Sequence, residues 1–156
     1  GGSAGAFTPP AHARGLAPPP APPALRQPAA DRVVAVGDVH GDVGKLRQTL
    51  RLAGLIDAAD RWVGGEAVLV QVGDQLDRGD TELQVLYMLE RLEREAARAG
   101  GRVWVLNGNH EALNVAGRFR YATGGGAKEF ERWRLGQLFG QALKRGCGGD
   151  AEGACA

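Results

Sequence analysis

Three short runs of β-branched and other apolar residues alternate with segments of helical periodicity, and this alternation restricts the fold more than any other feature of the chain. Strands that alternate with helices build a parallel sheet with right-handed crossovers. We therefore predict an α/β fold of βαβαβ order, a parallel sheet with flanking helices. Because the strands are apolar almost without interruption, we expect both faces of the sheet to be covered. The predicted strands are 32–38, 66–74 and 102–109, and the predicted helices are 42–55, 80–101 and 127–146.

The composition changes abruptly near residue 31. All 8 prolines precede residue 29, and all 18 acidic residues lie at or after Asp31. A Pro/Ala-rich segment without acidic groups or periodicity cannot bury enough apolar surface to offset the loss of chain entropy. We therefore predict a disordered leader or linker over 1–30, a partial folded domain over 31–145 and a Gly-rich disordered tail over 146–156.

The charge of the chain argues against two classes of partner. The formal net charge is +1 at pH 7, so the protein lacks the strong field that binding to nucleic acid or to an anionic membrane requires. No stretch approaches the roughly 18 continuous apolar residues of a membrane span. We expect neither partner. The sequence carries no signal for an oligomeric state, and the acid-free leader leaves both the cytoplasm and a plastid open as locations.

A polar motif follows or closes each predicted strand. The three motifs are "GDVHGD" at 37–42, "GDQLDRGD" at 73–80 and "NGNHEALN" at 107–114. The carboxyl ends of parallel strands lie along one edge of the sheet, which is where open α/β sheets bind their ligands. Motifs that are far apart in sequence should therefore meet in a single site.

The side chains in these motifs suit a divalent metal ion and a phosphoryl group. The metal-binding groups are carboxylates, imidazoles and an amide: Asp38, His40, Asp74, Asp77, Asn109 and His110. Asp38 and His40 are separated by one residue, so both can leave a strand end on one side and bind one ion. Such a mixture suits Mn, Fe or Zn. Arg78 lies among the carboxylates, which suggests a bidentate interaction with a phosphoryl group.

Residues in the motifs also have structural interpretations. We predict that Asp42 caps the first helix and that Asp80 caps the second, since aspartate accepts the free N–H groups of a helix start. Glu111 could be a metal ligand, but we favour a supporting ion pair, for which Arg78 is a candidate partner. A structural interpretation of the whole set fails, because it needs three independent coincidences at three successive strand ends.

The three motifs together resemble a known signature. "GDVHG", "GDQLDRG" and "GNHE", in this order, resemble the calcineurin-like metallophosphoesterases, in particular their phosphoprotein phosphatase branch. Neighbouring text such as "LNGNHEALNVAGRFRY" resembles the narrower group of Shewanella-like protein phosphatases, over residues 32–135. The family fold is a two-sheet sandwich, so the resemblance implies that this chain forms the βαβαβ half of it.

The resemblance implies two divalent metal ions (Mn, Fe or Zn) and their ligands. Asp38 and His40 would hold the first ion, Asp74 would bridge both ions, and Asn109 would bind the second. The family has two further histidines on the second ion, downstream of the position of Glu111. None of the 3 histidines of this chain follows Glu111, so the second site is expected to be incomplete.

The resemblance also implies a reaction. His110 would be the general acid, Asp77 would orient it, and Arg78 would bind the phosphate. The reaction would be hydrolysis of a phosphomonoester in a phosphorylated protein or peptide, by in-line attack of a metal-bound hydroxide. The motifs leave open whether phosphoserine, phosphothreonine or phosphotyrosine is preferred.

The missing ligands leave several interpretations of the chain. We expect a fragment of a longer phosphatase, because the family's second phosphate-binding arginine has no match either. A truncated form without catalytic activity and a minimal one-metal enzyme are alternatives. A related phosphoesterase that cleaves dinucleoside polyphosphates also fits the motifs.

Overall fold

The computed structural model describes residues 26–147, with side chains described as far as residue 141. The elements within this range are β1 (Val33–Val36), α1 (Val43–Leu52), β2 (Val68–Gln71), α2 (Glu82–Arg98), β3 (Arg102–Val105), α3 (Asn109–Val115) and α4 (Gly124–Cys147). The predicted βαβαβ order is confirmed. Each strand has 4 residues and is shorter than predicted, because the backbone leaves the sheet before the polar motif begins. Most of the predicted leader over 1–30 and tail over 146–156 lies outside the described residues, so both stay predictions.

The three strands form a parallel sheet in the order β1-β2-β3. Val33 pairs with Val68 and Val68 pairs with Arg102, so the strands begin at nearly the same level and their carboxyl ends share one edge. Right-handed crossovers that step in one direction place α1 and α2 on the same face of the sheet. The core between that face and the two helices consists of fully buried aliphatic side chains: Leu46, Leu50, Leu69, Val85, Leu89 and Leu92.

The opposite face of the sheet is only partly covered. Alternation along the strands places Val33, Ala35, Val68, Val70 and Trp104 on this face. Val33 is 61% exposed, Ala35 is exposed, and the other three are half-buried. The expectation that both faces are covered is therefore wrong for the described residues. Within the described residues α1 and α2 cover the other face, and α4 packs mainly against α2.

Two helices follow β3 where one was predicted. The short helix α3 begins at Asn109, inside the predicted third strand, and α4 begins at Gly124, three residues before its predicted start. The first turn of α4 lies very close to the loop before α2, since a Cβ at Gly125 would be 2.3 Å from Asp80 Cγ. Beyond this turn α4 exposes large apolar side chains: Trp133, Leu135, Leu138 and Phe139.

None of the helices in the described range combines the length and the apolar composition that crossing a membrane requires.

The packing of the core predicts that two leucines of α1 differ in their contribution to the free energy of unfolding. Leu50 is 0% exposed and Leu52 is 89% exposed. Leu50→Ala should lower the free energy of unfolding by about 2–5 kcal/mol, because it removes buried apolar contacts and leaves a cavity. Leu52→Ala should change it by less than about 0.5 kcal/mol. Urea denaturation of both variants checks this, and equal losses would contradict the packing of α1.

Candidate active site

The loops that follow β1 and β2 are joined by backbone hydrogen bonds at the carboxyl edge of the sheet. The N–H groups of Val39 and His40 both donate to the carbonyl of Asp74, at 3.0 and 2.9 Å, and the N–H of Gly41 donates to the carbonyl of Gln75 at 2.7 Å. The first two polar motifs are therefore in direct contact, as the convergence of strand ends requires.

The carboxylate of Glu111 connects the second motif to the third. It is buried and accepts four backbone N–H groups, those of Asp74 (2.7 Å), Gln75 (2.9 Å), Leu76 (3.1 Å) and Gly108 (2.7 Å). The ion pair predicted between Glu111 and Arg78 is therefore wrong. The loop after β2 turns its N–H groups inward, where no strand can accept them, so they need another acceptor. The Glu111 carboxylate binds these fixed N–H groups instead of the mobile guanidinium of Arg78.

Several residues of the site adopt left-handed backbone conformations that side chains disfavour. The φ angles are 50° at His40, 56° at Asp74, 67° at Asp77 and 66° at Arg78. Each such residue costs on the order of 1–3 kcal/mol, and it persists only where the surroundings fix the backbone. The hydrogen bonds to the Asp74 carbonyl and to Glu111 supply this restraint.

Two glycines allow the loops to approach this closely. A Cβ at Gly79 would be 2.1 Å from the carbonyl oxygen of His40, and a Cβ at Gly108 would be 2.2 Å from Asp74 Oδ1. Any side chain at either position would separate the motifs. The glycines of "DRG" and "NGN" are therefore required by contact distance, in addition to any turn geometry.

The imidazole of His40 is held so that the lone pair of one nitrogen, Nε2, faces Arg78 and Asp38. Its Nδ1–H donates to the carbonyl of Leu76 at 3.0 Å, so its lone pair is at Nε2. Arg78 Nη1 donates to this Nε2 at 3.3 Å, and Asp38 Oδ2 lies 3.5 Å from it. The Asp38 side chain is 63% exposed, whereas that of His40 is 16% exposed.

Three side chains from the three motifs form a compact group of metal-binding atoms. One atom each from His40, Asp74 and His110 lies within 4.8 Å of the other two. Two imidazoles and a carboxylate are a common ligand set for a catalytic divalent ion, which keeps a further position open. With Asp38 beside His40, the residues present fit a divalent metal ion. Asn109 is exposed at the first position of α3, and its side chain makes no hydrogen bond within the described part of the chain.

His110 forms a buried pair with Asp77. The Nδ1–H of His110 donates to Asp77 Oδ2 at 2.8 Å, and the two side chains are 3% and 1% exposed. The Asn114 side-chain amide donates to the same carboxylate oxygen at 3.0 Å and to the carbonyl of His110 at 2.9 Å. The main-chain N–H of His110 donates to Asp74 Oδ1 at 2.9 Å. Hydrogen bonds at Nδ1 and at the main-chain N–H thus fix the orientation of the imidazole. The bond to Asp77 uses Nδ1 and does not involve Nε2.

Sequence reasoning missed Asn114 and Tyr121. Asn114 lies four residues after His110 on α3, and this spacing could have indicated a contact had the helix been predicted. The ring centroid of Tyr121 lies 5.0 Å from that of His110, and the Cζ of Arg78 lies 5.4 Å from the tyrosine ring. The only signal for Tyr121 was its place in "GRFRY".

The two predicted helix caps have different outcomes. Asp42 is confirmed as the N-cap of α1, because its Oδ1 accepts the N–H of Lys45 at 2.8 Å. Asp80 is not the cap of α2, whose N-cap position is Thr81. Asp80 instead accepts the hydroxyl of Thr123 at 2.5 Å, and the N–H of Leu83 in the first turn of α2 donates to a carboxylate of α4.

A further buried carboxylate, that of Glu82, contacts the backbone of the site. Glu82 is 4% exposed, and its Oε1 accepts the N–H of Asp77 at 2.8 Å. Burial raises the pKa of the Glu82 carboxyl; the hydrogen bond from Asp77 opposes this, and the nearby carboxylates of Asp77, Glu129 and Asp80 raise the pKa further. Glu82 thus fixes the backbone of Asp77, while the side chain of Asp77 binds His110.

Comparison with known sequences identifies the class of protein. The sequence profile described as calcineurin-like phosphoesterase matches residues 31–150. The chain therefore belongs to the calcineurin-like phosphoesterase family, whose members use divalent metal ions, and the resemblance seen in the motifs is confirmed.

Two relatives with known names belong to a narrower group of phosphatases. Shewanella-like protein phosphatase 2 of Arabidopsis thaliana is 52% identical over 119 residues, which are 76% of this chain and 30% of that protein. Shewanella-like protein phosphatase 1 of Plasmodium berghei (strain Anka) is 41% identical over 90 residues, or 58% of this chain and 25% of that protein. The chain therefore spans less than a third of the length of these relatives.

A solved structure supports the fold. The crystal structure of a cold-active protein-tyrosine phosphatase from a psychrophilic Shewanella species matches with 39% identity and a TM-score of 0.57, covering 59% of this chain and 28% of that chain. This confirms the predicted α/β architecture with parallel strands and flanking helices.

The role of Glu111 as an acceptor for four N–H groups can be tested by a substitution that replaces one oxygen of its carboxylate. Glu111→Gln removes an acceptor oxygen and the negative charge that four N–H groups share. It should lower the free energy of unfolding by about 2–4 kcal/mol, because buried donors lose their partner. Urea denaturation measures the loss. The control is Glu93→Gln at an exposed site on α2, which should change the value by less than about 0.5 kcal/mol. Equal stability of Glu111→Gln and the wild type would contradict the assigned role.

Proposed function

We propose that this chain carries the site of a metal-dependent phosphoprotein phosphatase that hydrolyses phosphomonoesters. The observation that carries the proposal is the buried pair of His110 and Asp77, whose imidazole lies close to the side chains of His40 and Asp74, two of the proposed metal ligands. A proton donor of fixed orientation next to a divalent ion is the arrangement that hydrolysis of a phosphate ester needs.

We assign the metal ligands as follows. Asp38 and His40 would hold the first ion, Asp74 would contribute to both sites, and Asn109 would bind the second, for which this chain offers fewer ligands. When bound, ions such as Mn²⁺, Fe²⁺ or Zn²⁺ supply an activated water and positive charge for the phosphoryl oxygens. The hydrogen bond from His40 Nδ1 to Leu76 supports the assignment, because it leaves the lone pair on Nε2, where an ion would replace the hydrogen bond from Arg78.

His110 acts as the general acid in this proposal. Its Nδ1–H is held by Asp77, so the proton that it transfers is on Nε2, and it passes to the leaving oxygen of the substrate. The Asp77 carboxylate stabilises the imidazolium that must exist before this transfer. Asn114 supports Asp77 through its amide, which keeps the carboxylate aligned with the ring.

Arg78 binds the phosphoryl group. Its guanidinium is exposed and forms no ion pair with a carboxylate among the described residues, so the donors other than the one that His40 accepts are available to an anion. Its main-chain N–H donates to the carbonyl of Tyr121 at 2.9 Å, which fixes the strained backbone that carries the side chain. A planar guanidinium can bind two phosphoryl oxygens at once.

We propose phosphorylated proteins or peptides as substrates, with phosphotyrosine among the accepted groups. The support comes from relatives: two are named protein phosphatases, and the Shewanella structure is described as that of a protein-tyrosine phosphatase. The aromatic ring of Tyr121 beside His110 is consistent with an aromatic leaving group.

Asp74 provides the first test. Asp74→Asn removes the bridging charge and should lower kcat/KM for p-nitrophenyl phosphate in the presence of Mn²⁺ by at least about 100-fold. The control Asp31→Asn, at an exposed site far from the motifs, should stay within about twofold of the wild type. Full activity of Asp74→Asn would refute the bridging role. A wild-type protein that takes up no Mn²⁺ in calorimetry and hydrolyses no ester would refute the proposed function in favour of an inactive form.

His110 provides a second test, which separates an acid from a metal ligand. A phosphotyrosine peptide has a poor leaving group that needs a proton, whereas 2,4-dinitrophenyl phosphate has a good one that does not. If His110 is the acid, His110→Asn should lower kcat for the peptide by about 10²–10⁴-fold and kcat for the dinitrophenyl ester far less. Equal losses on both substrates would show instead that the imidazole serves the metal group.

A further inference from the structure

The loop between α3 and α4 forms one wall of the candidate site. Tyr121 packs its ring against that of His110 at a centroid distance of 5.0 Å, and its carbonyl accepts the N–H of Arg78. Two residues later, the Thr123 hydroxyl donates its proton to Asp80 Oδ1 at 2.5 Å, and its oxygen lies 2.9 Å from the carbonyl oxygen of Gly79. The loop is therefore attached to the second motif at Arg78 and at the two residues that follow it, and its side chains are held in place beside the site.

Arg120 is oriented by this loop. Its Cζ lies 4.4 Å from the centroid of the Tyr121 ring, and its Nη2 donates to the hydroxyl of the same tyrosine. The interaction of a cation with an aromatic face orients the guanidinium and leaves its charge intact. Arg120 is exposed, and within residues 26–141 no carboxylate forms an ion pair with it. Its Nε and Nη1 donors are available to an external anion.

The position of Arg120 suits a second anion on the same substrate. Arg78 and Arg120 both contact the ring of Tyr121, at 5.4 and 4.4 Å, so two cations lie around one aromatic side chain. An extended peptide advances about 3.3–3.6 Å per residue. When Arg78 binds the phosphorylated residue of a peptide substrate, a side chain two or three residues along that peptide can therefore reach Arg120.

We propose that Arg120, held by Tyr121, binds an acidic side chain near the phosphorylated residue of a peptide substrate. The proposal rests on the proposed function, since it takes Arg78 as the phosphoryl-binding residue. Arg120 is a specificity-determining residue in this view, and Tyr121 is a positioning residue. Because the guanidinium is already oriented, little side-chain entropy is lost when the carboxylate binds.

The test compares the binding of two peptides that cannot be hydrolysed. Both carry phosphonomethyl-phenylalanine, and its neighbours are glutamates in one peptide and glutamines in the other. Fluorescence anisotropy in the presence of Mn²⁺ gives the affinity of each for the wild type and for Arg120→Gln, Arg120→Lys and Arg118→Gln. Arg118 is the matched control, an exposed arginine of the same loop.

The wild type should bind the acidic peptide about three- to fivefold more tightly than the neutral one, as expected for an exposed ion pair. Arg120→Gln should remove the preference, Arg120→Lys should keep part of it, and Arg118→Gln should keep all of it. Raising NaCl from about 0.05 M to about 0.5 M should weaken the preference. No preference in the wild type, or the same preference in Arg120→Gln, would overturn the proposal. Hydrolysis of p-nitrophenyl phosphate by the wild type is scored separately, so a failure of the proposed function is recognised on its own.

Discussion

The four hydrogen bonds to the carboxylate of Glu111 hold the site together. The loop after β2 leaves the sheet with its N–H groups turned inward, and a buried N–H without an acceptor costs about 1–3 kcal/mol. One side chain from α3 satisfies three of these groups and the N–H of Gly108 as well. Glu111 therefore fixes the positions of Asp74 and His110. It binds the N–H of Asp74 itself and the N–H of Gly108, two residues before His110.

The strained backbone of the motifs depends on the same restraint. Residues at positive φ lie in both loops that Glu111 and the Asp74 carbonyl connect, and their cost must be offset by packing elsewhere. The core between the sheet and α1 and α2 provides this, with leucines from both helices fully buried. The sheet edge and these hydrogen bonds together hold the loops in place. A site whose atoms must stay within fractions of an ångström of one another needs this rigidity.

The order of the elements and the meeting of the three motifs could be predicted because both follow from local patterns. Helical periodicity and apolar runs are visible along the sequence, and parallel strands bring their ends together whatever their side chains are. Contacts decided by tertiary structure could not be predicted. Glu111 accepts hydrogen bonds from backbone groups about 35 residues away, and the 7-residue helix α3 is too short to show a periodicity. The apolar strands alone favoured a sheet covered on both faces, whereas the resemblance to half of a two-sheet sandwich implied an exposed face.

The hydrogen bond from His40 to the carbonyl of Leu76 has a consequence for how the protein handles its metal. His40 is tied to the second motif by a bond within the protein, and His110 is tied to Asp77 in the same way. In a zinc finger the ion itself organises the chain, so chelation unfolds it. Here hydrogen bonds within the protein hold both imidazoles, so their orientation does not depend on an ion alone. A chelator that removes a bound ion should therefore leave the α/β fold intact.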